Sequence, residues 1–94
     1  MSTRCFSLGQ VVMTCGVRDT ISEDINFSKF VITALHRHAN GDWGDMCEED
    51  KAYNEYALDN GDRLFSSYKN GDTKIWIITE WDRSVTTILF PSEY

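Results

Sequence analysis

The sequence has little of what marks a linker or a disordered tail, since it contains a single proline and no serine- or glycine-rich run. Its first ten residues, MSTRCFSLGQ, lack the apolar stretch of a signal peptide. Nowhere do eighteen apolar residues follow one another, as a membrane-spanning helix requires. With 94 residues, 41% of them hydrophobic, the chain is predicted to form one domain, residues 1–94, located in the cytoplasm.

Cysteines are also few, and no two of them have the spacing of a redox or zinc-binding pair. Cys5, Cys15 and Cys47 are odd in number and form no CxxC motif. This pattern favours reduced thiols that act as small apolar residues over a disulfide framework or a zinc site. We therefore predict no metal and no other cofactor.

The charge of the chain is concentrated in one segment. The whole sequence carries a net charge of −6, whereas residues 42–62 hold eight acidic residues and one lysine, a local charge of −7. Direct binding to nucleic acid is disfavoured, because affinity for phosphates rests on lysine and arginine. The acidic segment is either a solvated helix face or a surface for a basic partner. Its acidic residues are Asp42, Asp45, Glu48, Glu49, Asp50, Glu55, Asp59 and Asp62.

The first forty residues predict a strand, a short helical turn and a longer helix. The run from Leu8 to Cys15 favours a strand, and Thr20 followed by Glu23 resembles a capping box that starts one turn of helix. The longer helix is predicted to begin at Asn26 or Ser28 and to end at Asn40-Gly41. Its apolar stripe, at helical spacing, consists of Phe27, Phe30, Val31, Ala34, Leu35 and His38.

A second long helix is predicted from Glu48 to Asn60, after the loop GDWGD. Acidic residues in its first turn suit the positive end of the helix dipole. Glu55 and Asp59 are four apart and repel each other, so they indicate a surface selected for its charge. The apolar side is assigned to Tyr53, Tyr56, Ala57 and Leu58. Trp43 in the loop is interpreted as an anchor over the core edge, with a binding hot spot as the alternative.

The last third has the period of β-strands. Three runs, Arg63 to Lys69, Lys74 to Trp81 and Val85 to Phe90, are separated by turns at 70–72 and 82–84 and predict an antiparallel three-stranded meander. Ile75, Ile77 and Thr79 are expected on one face of the middle strand, and Trp76, Ile78 and Glu80 on the other. The fold class is therefore predicted to be α+β, with an N-terminal strand, two main helices and the meander, and with the helices on one sheet face.

Enzymatic chemistry is a weaker alternative. His36, His38, Asp42, Asp45 and Cys47 contain metal-binding atoms, but the two histidines are two residues apart on a helix and point in different directions. His38 is expected at the core edge and His36 in solvent. Cys47 at a helix start would favour a thiolate, yet the acidic residues after it oppose one.

The segments GDWGDMCEEDKAYNEYAL (41–58), GDRLFSSY (61–68) and IWIITEWDRSVTTILFPSEY (75–94) resemble a family of small uncharacterised proteins from bacterial plasmids, phages and mobile elements. In that family a GDWGD motif and an acidic helix precede a WIITE-x-DRS-x-TT strand pair and a tail that contains proline. Trp81 stands where family members carry a small residue. The resemblance implies an association with mobile DNA, where small acidic proteins often inhibit restriction or CRISPR machinery.

These observations predict a non-enzymatic, acidic protein-binding module that acts as an anti-CRISPR or anti-restriction inhibitor. Its partner would be a basic, nucleic-acid-handling protein, with Trp43 and Trp81 as apolar anchors beside the charge. Two alternatives stay open: a metal-dependent or cysteine enzyme using His36, His38, Asp45 and Cys47, and a homodimer that pairs through the sheet face around Trp76 and Ile78. The predicted partner-binding residues are Asp42, Trp43, Asp45, Glu48, Glu49, Glu55, Asp59 and Trp81.

Overall fold

The computed structural model describes residues 6–94, which form an α+β fold of three helices and four strands. No helix in this part of the chain is both long enough and apolar enough to cross a bilayer. In chain order the elements are β1 (Gln10–Met13), α1 (Cys15–Glu23), α2 (Ile25–Ala39), α3 (Glu48–Asn60), β2 (Leu64–Asn70), β3 (Thr73–Thr79), β4 (Val85–Leu89) and a 3-10 turn (Pro91–Glu93).

The sheet is mixed rather than a purely antiparallel three-stranded meander. Strands β2, β3 and β4 form the predicted antiparallel hairpins, but β1 adds to β4 in parallel, which gives the order β1-β4-β3-β2. The sequence pattern predicted the strand β1 but not its position in the sheet or its pairing partner. Three helices separate it from β2, so its partner is set by tertiary packing and not by a turn.

The N-terminal helices begin at different residues from those predicted. Helix α1 is a full nine-residue helix capped by Thr14, whose hydroxyl accepts a hydrogen bond from the Val17 N–H at 3.3 Å, and it is not a single turn starting near Thr20. Helix α2 begins at Ile25, because the Asp24 carboxylate accepts from the first free backbone N–H groups. Its predicted end at Asn40 and Gly41 is confirmed.

All three helices pack on the same face of the sheet. The stripe of α2 is confirmed, since Phe27, Val31, Ala34 and His38 are buried. On β3, Ile75, Ile77 and Thr79 share one face, as predicted, and the structure shows that this face points towards the helices. The main core cluster consists of Val17, Phe27, Val31, Ala34, Tyr68, Ile75, Ile77 and Ile88. A smaller cluster of Trp43, Ala57 and Leu64 lies under α3.

The opposite sheet face, on which the homodimer alternative was based, is partly covered by the chain itself. Ile78 is buried within the chain, and the half-buried Trp76 packs between Phe65, with ring centroids 4.9 Å apart, and Tyr94, at 5.6 Å. The C-terminal residues therefore cover part of the surface that was expected to be open. Strand β3 also ends at Thr79, so Trp81 lies in the β3–β4 turn and not in a strand.

Candidate functional site

The acidic segment is formed by α3 and the loop before it. Cys47 is the N-cap residue of α3, and its side chain makes no capping hydrogen bond. Glu48, Glu49 and Asp50 occupy the first helical turn. Their negative charge is favourable next to the unpaired N–H groups of that turn. These three side chains are exposed, as are Asp45 in the loop and Asp59 near the helix end. We call these five exposed acidic residues the acidic surface.

Asp42 is also exposed, but we do not count it in the acidic surface because its charge is paired with that of Arg37. The Arg37 guanidinium donates to both of its carboxylate oxygens, at 2.7 and 3.1 Å, and holds the pKa of Asp42 below its ordinary value. Its backbone carbonyl also accepts a bond from the Tyr68 hydroxyl at 2.6 Å. The ion pair fixes the end of α2 against the loop, and partner binding by Asp42 stays a prediction.

Trp43 and Glu55 are joined to each other. The indole is only 4% exposed, and its N–H donates to a Glu55 carboxylate oxygen at 2.8 Å. The interpretation of Trp43 as an anchor over the core edge is confirmed, and a buried indole is not an exposed hot spot. Glu55, predicted to extend outward beside Asp59, has one carboxylate oxygen turned to this N–H. Trp43 is therefore buried and Glu55 half-buried, and contact of either residue with a partner stays a prediction.

We expect Glu55→Ala to lower the free energy of unfolding by about 1–3 kcal/mol, because it leaves the buried Trp43 N–H without its acceptor. Glu55→Gln retains a carbonyl oxygen at the same place and should lose less than half as much. Urea denaturation followed by indole fluorescence measures both variants. If the alanine variant were as stable as the wild type, the contact to Trp43 would have no structural role.

The exposed face of α3 carries two tyrosines that were assigned to its apolar side. Tyr53 and Tyr56 are each 54% exposed, and their ring centroids lie 5.9 Å apart. The buried side of the helix consists instead of Asn54 and Ala57, with Leu58 partly buried. Because residues 48–60 have no continuous apolar stripe, the sequence pattern did not indicate which side faces inward.

Two polar side chains hold α3 where an apolar stripe would otherwise do so. The Asn54 amide bonds to both backbone groups of Phe65 on the outer edge of β2, donating at 2.6 Å and accepting at 3.1 Å. At the helix end, the Arg83 guanidinium donates to the carbonyls of Ala57, at 3.0 Å, and Asp62, at 2.6 Å. A cation is favourable at this negative end of the helix dipole. Neither residue was predicted as important, because polar anchors follow no periodicity.

Trp81 is exposed, with 65% of its surface accessible, in agreement with its prediction as a surface aromatic. It lies in the turn that contains Arg83, whose guanidinium also donates to the Trp81 carbonyl at 3.3 Å. Arg83 has a positive φ of 60°, which shapes this turn. Since the same guanidinium bonds to the end of α3, Trp81 is near the C-terminal end of that helix.

The residues of the metal or cysteine-enzyme alternative do not come together. Within residues 6–94, no group of three or more histidine, cysteine or acidic side chains is placed to hold a metal ion. His36 is exposed and His38 is buried, as predicted. Cys15 and Cys47 are free thiols, but both are exposed, so their interpretation as buried apolar residues is wrong. Cys5 lies outside the described residues.

His38 belongs to a buried chain of hydrogen bonds that joins α2 to the sheet. Around the ring, the Ser66 hydroxyl bonds to His38 Nδ1 at 2.5 Å, and His38 Nε2 bonds to the Thr79 hydroxyl at 2.8 Å. The Thr79 hydroxyl bonds in turn to that of Thr86 at 2.8 Å, and the Thr86 hydroxyl donates to the Leu8 carbonyl at 2.7 Å. A carbonyl only accepts, so each hydroxyl donates towards Leu8 and the ring donates through Nε2–H. His38 is therefore the neutral Nε2–H tautomer, and both of its nitrogens are occupied.

Comparison of the chain with protein-family models, with curated proteins and with solved structures finds no match. A functional hypothesis therefore rests on the surface that the chain itself presents.

Proposed function

We propose that this protein is a non-enzymatic, acidic binding module that inhibits a host defence system on behalf of a mobile element. Its target would be a CRISPR effector or a restriction enzyme, and it would cover the basic surface on which that target holds nucleic acid. The targets act in the cytoplasm, and we expect this protein to act there too. One observation carries the proposal: the acidic surface of Asp45, Glu48, Glu49, Asp50 and Asp59 is exposed on α3 and its preceding loop.

The arrangement of these carboxylates supports the proposal. Glu48 and Asp59 are eleven residues apart in one helix, which places them about 16 Å apart along its axis. Negative charge at both ends of a helix on this scale can occupy a groove whose lysines and arginines otherwise contact phosphates. Asn54 and Arg83 attach the helix to β2 and to the β3–β4 turn, so the helix that carries the carboxylates does not have to be ordered on binding.

The test is binding to purified CRISPR and restriction complexes over a series of salt concentrations. We expect affinity to fall steeply as salt rises, because the interaction is between opposite charges in water. At low salt, the double variant Glu48→Gln/Glu49→Gln should bind about tenfold more weakly, a loss of about 1.4 kcal/mol. Thermal melting confirms that each variant is folded.

The matched control is Glu23→Gln/Asp72→Asn, which removes the same charge from exposed positions outside α3. It should bind as the wild type does. Absence of binding to every complex, binding that is insensitive to salt, or an equal loss in the control would each contradict the proposal.

A further inference from the structure

The tyrosine pair on α3 is an unusual feature of this surface. Tyr53 and Tyr56 expose about half of their surface each, and their rings are inclined by 38° with centroids 5.9 Å apart. Large aromatic side chains contribute most to binding where they are rigid and become buried by a partner. Neither ring belongs to the core clusters of residues 6–94, so packing within this part of the chain does not explain the pair.

The surroundings of the pair are strongly negative. Glu49 lies one helical turn before Tyr53, and Asp59 lies one turn after Tyr56. The Asp62 carboxylate accepts a bond from the Tyr53 hydroxyl at 3.4 Å, and the pKa of that hydroxyl is raised mainly by the Asp62 charge. An aromatic face in such a field attracts a cation and repels an anion.

We propose that Tyr53 and Tyr56 form the anchor of the docking surface and receive an arginine side chain of the basic partner. This inference rests on the proposed function and specifies its partner chemistry. The planar, weakly hydrated guanidinium can stack on a tyrosine ring while its N–H groups bond to a carboxylate such as that of Glu49. A lysine ammonium is a strongly hydrated point charge and would gain less from the rings.

Charge also separates this occupant from the other two that an exposed aromatic pair could suggest. A second copy of this chain would bring Glu48, Glu49 and Asp59 against their own counterparts, which is repulsive. A nucleic acid would place its phosphates against the same carboxylates. A cationic protein segment is the partner that the charge of this face fits.

The experiment titrates the full chain with an arginine-rich peptide and with its counterpart in which every arginine is lysine, at equal length and charge. Calorimetry gives the affinities, and amide chemical shifts locate the peptide on α3. We expect the wild type to bind the arginine peptide several-fold more tightly than the lysine peptide. Tyr53→Ala/Tyr56→Ala should weaken binding of the arginine peptide about tenfold, so that it binds no more tightly than the lysine peptide.

Two further variants complete the design. Tyr53→Phe/Tyr56→Phe keeps the rings and should bind as the wild type does. Ile32→Ala on α2 removes an apolar side chain that is also 54% exposed, and it should leave binding unchanged. Thermal melting should show all of these variants folded, since the altered side chains are exposed.

The outcomes separate this inference from the function on which it rests. If Tyr53→Ala/Tyr56→Ala keeps full affinity while Glu48→Gln/Glu49→Gln loses it, the tyrosine anchor is wrong and the acidic surface still binds. Equal affinity for the two peptides, no binding of either peptide, or shifts located away from α3 would also overturn the anchor. If neither the charge variant nor the tyrosine variant changes binding, both proposals fail.

Discussion

Replacing Gly44 with alanine is expected to remove roughly 3–5 kcal/mol of the free energy of unfolding, a large part of what a domain of this size has. Gly44 pairs with Ser67 on the edge of β2 and has a φ of +77°. A Cβ atom there would lie 2.1 Å from the Ser67 carbonyl oxygen and 2.7 Å from the Tyr68 ring. The loop would have to leave the strand, and the hydrogen bond from Asp45 N–H to Ser67, at 2.7 Å, would break.

The matched control is Gly61→Ala at the end of α3. Gly61 also has a left-handed backbone, with φ +69°, but nothing lies within 4 Å of the position of its Cβ. The free energy of unfolding of this variant should fall by only about 1–2 kcal/mol, the cost of placing alanine in a left-handed backbone conformation. Urea denaturation of the two variants measures the difference, which is the cost of the close approach at Gly44. Equal losses would show that the loop can move away from β2 at little cost.

Acid is expected to destabilise the protein well above the pH at which carboxylates titrate, because of His38. Burial is the main cause that lowers the pKa of His38 from 6.5 to about 3, and the charge of Arg83 adds to it. Below about pH 6.5 His38 becomes protonated in the unfolded chain, whereas in the folded chain it stays neutral down to about pH 3. Stability therefore falls as the pH falls through this window, by about 2 kcal/mol between pH 7 and pH 5.

His38→Phe tests this assignment. The variant should be less stable at pH 7 by about 2–4 kcal/mol, because Ser66 loses its acceptor and Thr79 loses its donor. Between pH 7 and pH 5, however, the free energy of unfolding of the variant should lack the fall of about 2 kcal/mol that His38 causes in the wild type. The depressed pKa values of Asp42 and Glu93 add acid sensitivity only at lower pH, where carboxylates bind protons. In the wild type, ¹⁵N chemical shifts should show the neutral Nε2–H ring at pH 7. A steep pH dependence in the variant would contradict the assignment.

Both experiments concern how α2 and the loop before α3 are fixed, and this bears on the proposed function. Gly44 lets the loop join the edge of β2, and the Trp43–Glu55 bond ties that loop to the middle of α3. The contacts that position the loop and α3 therefore do not involve the side chains of the acidic surface. Charge variants such as Glu48→Gln/Glu49→Gln can then be interpreted through binding rather than through unfolding.

Local patterns in the sequence were sufficient for most elements. The stripe from Phe27 to His38 predicted α2, because a helix that covers a sheet repeats its apolar residues every three or four positions. The alternation in residues 73–79 and the Asn70-Gly71 turn predicted the β2–β3 hairpin for similar reasons. Helix α1 was underestimated because its capping residue, Thr14, lies inside a run that also favours a strand.

The candidate site was predicted less well than the fold. The pattern located the acidic helix but not its orientation, since residues 48–60 offer no apolar stripe from which to choose an inner face. Tyr53 and Tyr56 were therefore assigned inward, and Glu55 outward, where the structure has the tyrosines exposed and Glu55 bonded to Trp43. The ion pair of Asp42 with Arg37 also depends on where α2 ends relative to the loop, which no local pattern specifies.

The sequence by itself determined that this chain forms an α+β fold with its negative charge gathered in one helical segment, because composition and periodicity are local properties. Only the tertiary structure decided that β1 pairs with β4, that His38 is sealed in a hydrogen-bonded chain, and which carboxylates remain in water. These features depend on contacts between distant residues, such as Trp43 with Glu55 and Arg83 with Ala57. Their energy comes from satisfying buried polar groups, and a polar group can find its partner at any distance along the chain.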